Sequence, residues 1–239
     1  MDLIKTSDHK KIAILIDPDK LNSNFNNFIK DAVNFGVDYF FVGGSIVNVS
    51  VENVVLQIKE ISKKIPVILF PGDSSQFTDK ADGILYLSLI SGRNPEYLIG
   101  QHINSSVEIK KSGIEIIPTA YILIDGGKET SVQKISKTSP IPIDNINLAV
   151  STALAGELLG MQIIYLEAGS GALNNVPIEM IKSVKNHISK TLIVGGGIKE
   201  KYQIIDILDA GADIIVIGNS LEKNPDMLKE FIEITHLKS

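Results

Sequence analysis

Apolar residues recur along the chain in short runs, rich in Ile and Val and bounded by Gly, Pro or Asp, with amphipathic segments between them. Eight of these runs read as strands: Ile12–Ile16, Val37–Val42, Pro66–Phe70, Gly83–Leu87, Ile114–Ile122, Gln162–Glu167, Thr191–Val194 and Asp213–Ile217. Most are continuous instead of alternating, the pattern of parallel strands covered on both faces. Helical periodicity occupies Phe25–Phe35, Ile46–Lys63, Asn94–Ile109, Ile146–Leu159, Ile178–Ile188, Lys201–Ala210 and Pro225–Ile234. Asn94-Pro95-Glu96 and Asn224-Pro225-Asp226 each supply a cap, a proline at the first helical position and a carboxylate in the first turn. Eight strands alternating with helices predict an α/β fold, a (β/α)8 barrel formed as one domain over residues 1–239. A doubly wound sheet is the alternative.

Spacing refines this architecture. From Pro66 to Gly83 there are only 17 positions, too few for a strand, a full helix and two loops, so the third helix is expected to be missing or reduced to a turn around Ser74–Asp79. Between Ile122 and Gln162 there is instead a surplus of about 15 residues, Asp125–Pro142, which reads as a long loop at the C-terminal end of strand five. That end of a barrel carries the active site.

Composition narrows the class. The 239 residues are 44% hydrophobic and 21% charged, enough apolar material for a sizeable core. Net charge is −5, with no dense basic run, which argues against a nucleic-acid partner. The absence of cysteine excludes disulfides, thiolate chemistry and Cys-ligated zinc, and suits a reducing, cytoplasmic setting. No apolar run approaches the roughly 20 residues that span a bilayer, and the N-terminus is not a signal peptide. Arg93 is the only arginine, so an anion site here cannot rest on an arginine cluster.

The strongest chemical signal is Val194-Gly195-Gly196-Gly197-Ile198 after strand seven, followed by Ile217-Gly218-Asn219-Ser220 after strand eight. Glycine turns at strand ends expose backbone N–H groups to an anion, and the turns after strands seven and eight are the usual phosphate site of such barrels. A third turn, Tyr165-Leu166-Glu167-Ala168-Gly169-Ser170-Gly171, follows strand six; lacking a third glycine, it is no dinucleotide fingerprint. Glu167 at the barrel mouth can accept a proton from a substrate hydroxyl, or can merely order its loop. Tyr165, two residues earlier, points to the same side. Strand one ends in Asp17-Pro18-Asp19-Lys20, where Asp17 can hold a divalent cation or cap a helix. Ser45, after Gly43-Gly44, can contact metal or diphosphate, or cap a helix beginning at Ile46. His9, His102, His187 and His236 lack metal-ligand spacing, and no lysine near the end of strand six offers a Schiff base.

Leu15-Ile16-Asp17-Pro18-Asp19-Lys20, Val42-Gly43-Gly44-Ser45, Pro71-Gly72, Ser91-Gly92-Arg93-Asn94-Pro95, the Tyr165–Gly171 turn, Gly195–Ile198 and Gly218-Asn219 together resemble the geranylgeranylglyceryl phosphate synthase family. The motifs span nearly the whole chain in order. The resemblance implies a modified barrel lacking helix three and transfer of a polyprenyl group from its diphosphate to the sn-3 hydroxyl of sn-glycerol 1-phosphate. It implies Mg²⁺ on Asp17 and Ser45. Tyr165, Leu166, Glu167, Ala168, Gly169, Ser170, Gly171, Gly196, Gly197, Gly218 and Asn219 would surround glycerol 1-phosphate, with Glu167 as base. Arg93, Lys128 and Lys134 are candidates for the diphosphate, and the interval near Gln76–Asp79 for the prenyl groove, which Tyr121 lines unless it is core. The resemblance further implies a homo-oligomer, a dimer or a hexamer, and a water-insoluble substrate implies transient contact with a membrane surface. Another phosphate-binding barrel enzyme, akin to indole-glycerol-phosphate synthase or an epimerase, or a flavin-binding module, is the competing reading.

Overall fold

In the computed structural model, residues 3–4, 9–218, 221 and 226–238 are described. Eight parallel strands close into a barrel in chain order, β1 (Lys11–Ile16), β2 (Tyr39–Val42), β3 (Val67–Leu69), β4 (Gly83–Leu89), β5 (Glu115–Leu123), β6 (Ile163–Glu167), β7 (Thr191–Gly195) and β8 (Ile214–Ile217), with β8 pairing back onto β1. The helices are α1 (Phe25–Phe35), α2 (Val51–Ile61), α3 (Gln101–Ser112), α4 (Ser131–Ser136), α5 (Ile146–Leu158), α6 (Ile178–His187), α7 (Lys201–Asp209) and α8 (Asp226–Leu237). None among the described residues is long and apolar enough to cross a membrane. The barrel expectation holds, and the doubly wound alternative falls on the β1–β8 pairing.

The continuous apolar runs are explained by two cores. Ile12, Ile14, Phe40, Val42, Ile164 and Leu166 face the helix layer, while Ala13, Phe41, Ile68, Leu85, Tyr121 and Tyr165 fill the barrel. Because side chains alternate along a strand, each strand must be apolar at every position to serve both. Towards the C-terminal end the interior is capped by aromatics: Phe70 lies 5.7 Å from Tyr165 and 5.8 Å from Tyr121, with 5.3 Å between the two tyrosines, centroid to centroid.

Between β3 and β4 only a single 3-10 turn, Ser74–Gln76, replaces a helix. Two local expectations are corrected. First, α2 begins at Val51 and is capped by Ser50, whose hydroxyl accepts the Asn53 N–H, so Ser45 caps nothing. The apolar Ile46-Val47 pair mimics a helix start, but the Asp19 carboxylate accepts the N–H groups of Asn48 at 2.8 Å and Val49 at 2.9 Å and holds that stretch as a loop. Second, the long fifth loop contains α4, started by a reciprocal Thr130–Gln133 capping box and stopped by Lys137 at φ 52°. Of the two Asn-Pro caps, the Asn94 side chain does accept the Glu96 N–H at 3.1 Å, while Asn224 and Pro225 lie outside the described residues.

Candidate active site

Strand alternation puts both Tyr165 and Glu167 on the inner face of β6, and parallel register sets Glu167 beside Leu123 of β5 and Gly195 of β7. Glu167 is only 6% exposed. Its Oε1 accepts the Gly169 N–H at 2.7 Å, so one oxygen orders the turn while the other lies on the Tyr165 side. Burial pushes the carboxyl up to about 7, against the pull of the Gly169 N–H and the nearby Tyr165 hydroxyl. The tyrosine hydroxyl faces the carboxylate without closing a hydrogen bond of good geometry. Burial, and then the Glu167 charge, push the phenols of Tyr165 and Tyr121 well above the usual value, so both remain protonated. The site therefore holds a base poised near neutrality beside protonated hydroxyls.

The glycine turns make the room. A methyl group on Gly195 would lie 2.7 Å from both Glu167 Oε2 and the Tyr165 oxygen. One on Gly196, whose φ is 82°, would strike Glu167 Oε1 and come within 2.6 Å of the Gly169 nitrogen. The β7 turn is thus glycine because the β6 turn and its carboxylate occupy the space where side chains would be. The sequence places Gly195 in the same glycine run but only Gly196 and Gly197 among the residues expected around glycerol 1-phosphate; that Gly195 faces Glu167 and Tyr165 depends on the β6–β7 register. Gly218 follows β8, and a methyl there would meet only Leu15 at ordinary contact distance, so packing among the described residues does not demand a glycine. Asn219 lies outside the described residues. Leu166 and Ala168 are fully buried on the helix side, so only their main chain can serve a ligand, whereas Ser170 and Gly171 are exposed at the rim.

Asp17 and Ser45 come together at the adjacent rim. The Asp17 carboxyl lies 3.4 Å from where a Gly44 side chain would begin, one residue from Ser45. Asp17 does cap its 3-10 turn through the Asp19 N–H at 3.1 Å, and Lys20 pairs with its other oxygen at 2.6 Å. Among the described residues no cluster of three or more His, Asp or Glu exists that could hold a metal. One carboxylate and one hydroxyl nevertheless fit Mg²⁺, which keeps water and takes substrate phosphate oxygens for most of its shell. Sequence reasoning missed the clamp behind this rim. Buried Gln76 donates to the Gly44 carbonyl at 2.7 Å and accepts from the N–H groups of Gly44 at 3.3 Å and Gly72 at 3.2 Å. A glutamine in a shortened interval carries no motif, and only folding brings it to the β2 and β3 loops.

From this rim an apolar groove of about 850 Å³, its open mouth included, runs outward through the interval left by the missing helix, between the 3-10 turn and α3. Ser45 and Gly72 stand at one end; Phe77, Leu89, Tyr97 and Ile109 line the body. Tyr121 is both core and groove wall. His102, 8% exposed, lines the groove, and burial lowers its pKa. The remaining diphosphate candidates separate. Arg93 donates to its own loop, to the carbonyls of Gly92 at 2.6 Å and Ile90 at 3.1 Å. Lys134 sits on the side of α4 opposite the groove-lining Val132, Ile135 and Ser136, 64% exposed and paired with Glu129 at 3.4 Å, which takes it away from the groove. Lys128 approaches the β6 turn, its ammonium 3.4 Å from where a Gly171 side chain would begin.

Comparison with known proteins points the same way. Residues 3–235 match the PcrB family. The chain is 47% identical over 229 residues to the geranylgeranylglyceryl phosphate synthase of Chitinophaga pinensis, across 95% of this chain and 90% of that protein. It is 42% identical over 225 residues to the protein of the same name from Pyrococcus abyssi, across 92% and 88%. The crystal structure of (S)-3-O-geranylgeranylglyceryl phosphate synthase from Thermoplasma acidophilum in complex with substrate sn-glycerol-1-phosphate superimposes with a TM-score of 0.90 at 32% identity, covering 96% of this chain and 94% of that one.

Proposed function

The chain belongs to the PcrB family, and from that premise we propose that it transfers a geranylgeranyl group from its diphosphate to the sn-3 hydroxyl of sn-glycerol 1-phosphate. The observation that carries this reading is the joining of two unlike spaces: an apolar groove opens at the rim bearing Ser45, and its wall residue Tyr121 stacks edge-on against Tyr165 beside the buried Glu167. A long isoprenoid and a small phosphorylated polyol need that juxtaposition; an epimerase or a flavin module does not.

In this reaction the bond between C1 of the prenyl group and the diphosphate oxygen breaks, and its electron pair leaves with the diphosphate. The sn-3 oxygen forms the new bond to C1, and its proton passes to Glu167, whose carboxyl, held near 7 by burial, is basic enough to take it and acidic enough to release it. Tyr165 hydrogen-bonds the polyol. The glycine turns after β6, β7 and β8 offer main-chain N–H groups to the glycerol phosphate. The groove walls exclude water from the allylic carbon as it gains cationic character. Asp17 and Ser45 are the residues that would hold Mg²⁺, which when bound neutralises charge on the departing diphosphate.

Homo-oligomerisation belongs to the same reading. Helix α5 carries apolar residues on its outward side as well, with Leu148 and Leu158 exposed and Leu159 exposed just beyond its end, a pattern suited to burial against a second copy.

The test is incubation with labelled sn-glycerol 1-phosphate, Mg²⁺ and prenyl diphosphates of several lengths, followed by lipid extraction. A labelled ether lipid is expected, with the geranylgeranyl donor preferred and with the product lost on chelation; no lipid from any donor would overturn the proposal. Glu167→Gln is expected to lower turnover about 10²–10⁴-fold while glycerol 1-phosphate still binds. Unchanged turnover would remove Glu167 as the base.

A further inference from the structure

The long segment after β5 is not a free loop above the site but is fastened to the β6 turn on both sides of Lys128. Before it, the Gly126 carbonyl accepts the N–H groups of Leu173 at 2.9 Å and Asn174 at 3.1 Å, and Asp125 accepts the Gly127 N–H at 2.9 Å. After it, the Thr130 side chain lies against the α-carbon of Gly169, and Thr130 is itself locked by its capping box with Gln133. Two anchors within five residues fix where the Lys128 side chain can reach, and it reaches over Gly171. Its neighbour Glu129 is engaged with Lys134, and Lys128 pairs with no carboxylate among the described residues.

Apart from Lys128, the β6 turn offers an anion main-chain N–H dipoles and the neutral Ser170 hydroxyl. The solitary arginine is spent on its own loop carbonyls, and Lys20 is paired with Asp17 at the metal rim. The other lysine that reaches this loop, Lys199, has its ammonium on the Leu173 carbonyl at 3.3 Å, so among the described residues Lys128 brings a phosphate dianion on this turn a full positive charge that is not held by a main-chain carbonyl. We propose that Lys128 binds the phosphate of sn-glycerol 1-phosphate, not the diphosphate for which its position in the sequence suggested it, and so sets the sn-3 hydroxyl at a fixed depth against Glu167. The inference rests on the function proposed above but concerns the phosphorylated substrate alone.

The experiment therefore measures binding as well as turnover. Titration calorimetry with sn-glycerol 1-phosphate is expected to show affinity about ten- to a hundredfold weaker for Lys128→Met than for the native protein, the loss of one charge-assisted hydrogen bond. Lys128→Arg should regain most of it. In steady-state assays the KM for sn-glycerol 1-phosphate should rise by a similar factor, with the KM for geranylgeranyl diphosphate and the Mg²⁺ dependence unmoved. A rise confined to the prenyl-diphosphate KM, unchanged affinity in Lys128→Met, or no binding of sn-glycerol 1-phosphate by the native protein would each overturn the assignment. If the native protein binds sn-glycerol 1-phosphate through Lys128 yet makes no lipid from any donor, the function proposed above fails while this assignment stands. Lys128 is exposed, so Lys128→Met is expected to melt with the native protein, separating the binding loss from misfolding.

Discussion

The same desolvation that makes the Glu167 carboxyl a base near neutrality also opposes folding. Its pKa stands about 7 in the native state against 4.5 for an unperturbed carboxyl, so between those values the native state holds a proton that the unfolded chain has released. Stability from this group is complete below pH 4.5 and is lost as pH rises through 7. The cost at pH 8 is on the order of 3 kcal/mol, from about 1.4 kcal/mol per unit. Glu167→Gln removes the titration. At pH 8 the variant is expected to melt about 5–10 °C above the native protein, with the gap shrinking towards zero at pH 5. A gap that is equal at both values, followed by calorimetry, would show that the carboxylate charge is not its source. A variant that melts higher while turning over more slowly is the expected signature of a site built at the expense of stability. Residue identity showed Glu167 as a carboxylate at a strand end with Tyr165 on the same side; its burial is completed by Tyr121 and the β7 glycines, which only the closed barrel brings beside it.

The strands of this barrel are held at their N-terminal ends by a repeated device. Asp38, Asp82 and Asp213 each immediately precede an even-numbered strand, and each accepts a main-chain N–H of the strand before it, from Ile12 at 2.9 Å, Val67 at 2.8 Å and Leu192 at 2.7 Å. Each also pairs with a side chain of the helix layer, His236 at 3.1 Å, Lys59 at 2.7 Å and Lys185 at 2.6 Å. A carboxylate bridging strand to helix fixes register where the short strands have few ladder bonds of their own. Asp213→Ala leaves the Leu192 N–H without its acceptor and Lys185 without its partner, at about 2 kcal/mol, or about 4–8 °C in Tm. Turnover measured well below the melt should be unchanged, because the latch lies at the end of the barrel opposite Glu167. A native Tm in that variant would remove the latch. At this scale most elements were legible: α1 is matched end to end, and the 17-position interval led directly to the missing helix. Helix α2 and the fifth loop were not, because Asp19 and the Thr130–Gln133 box override local apolar pattern with side-chain to backbone bonds.

Closure of the barrel assembles the site from β1, β2, β6 and β7, with Asp17 and Glu167 separated by most of the chain. It also decides what the outside presents. Helix α5 and the residue after it leave large apolar side chains on the surface, with Leu158 and Leu159 86% and 73% exposed. If a second copy covers them, the double change Leu158→Glu with Leu159→Glu should lower the mass seen by sedimentation equilibrium while leaving the circular dichroism spectrum intact. An unchanged mass would take α5 out of the interface.

The sequence by itself determined the barrel, its missing helix and the three glycine turns, and it put Asp17, Ser45 and Glu167 forward as candidates at strand ends. These follow from periodicity, spacing and residue chemistry, which are local and survive in one dimension. Only the tertiary structure decided that Gly195 must lack a side chain, that Gln76 clamps two loops, that Lys134 faces away and that Lys128 lies over the β6 turn. Each of those depends on which distant backbone fills the neighbouring space, and that is settled when the strands close, not by any pattern written along the chain.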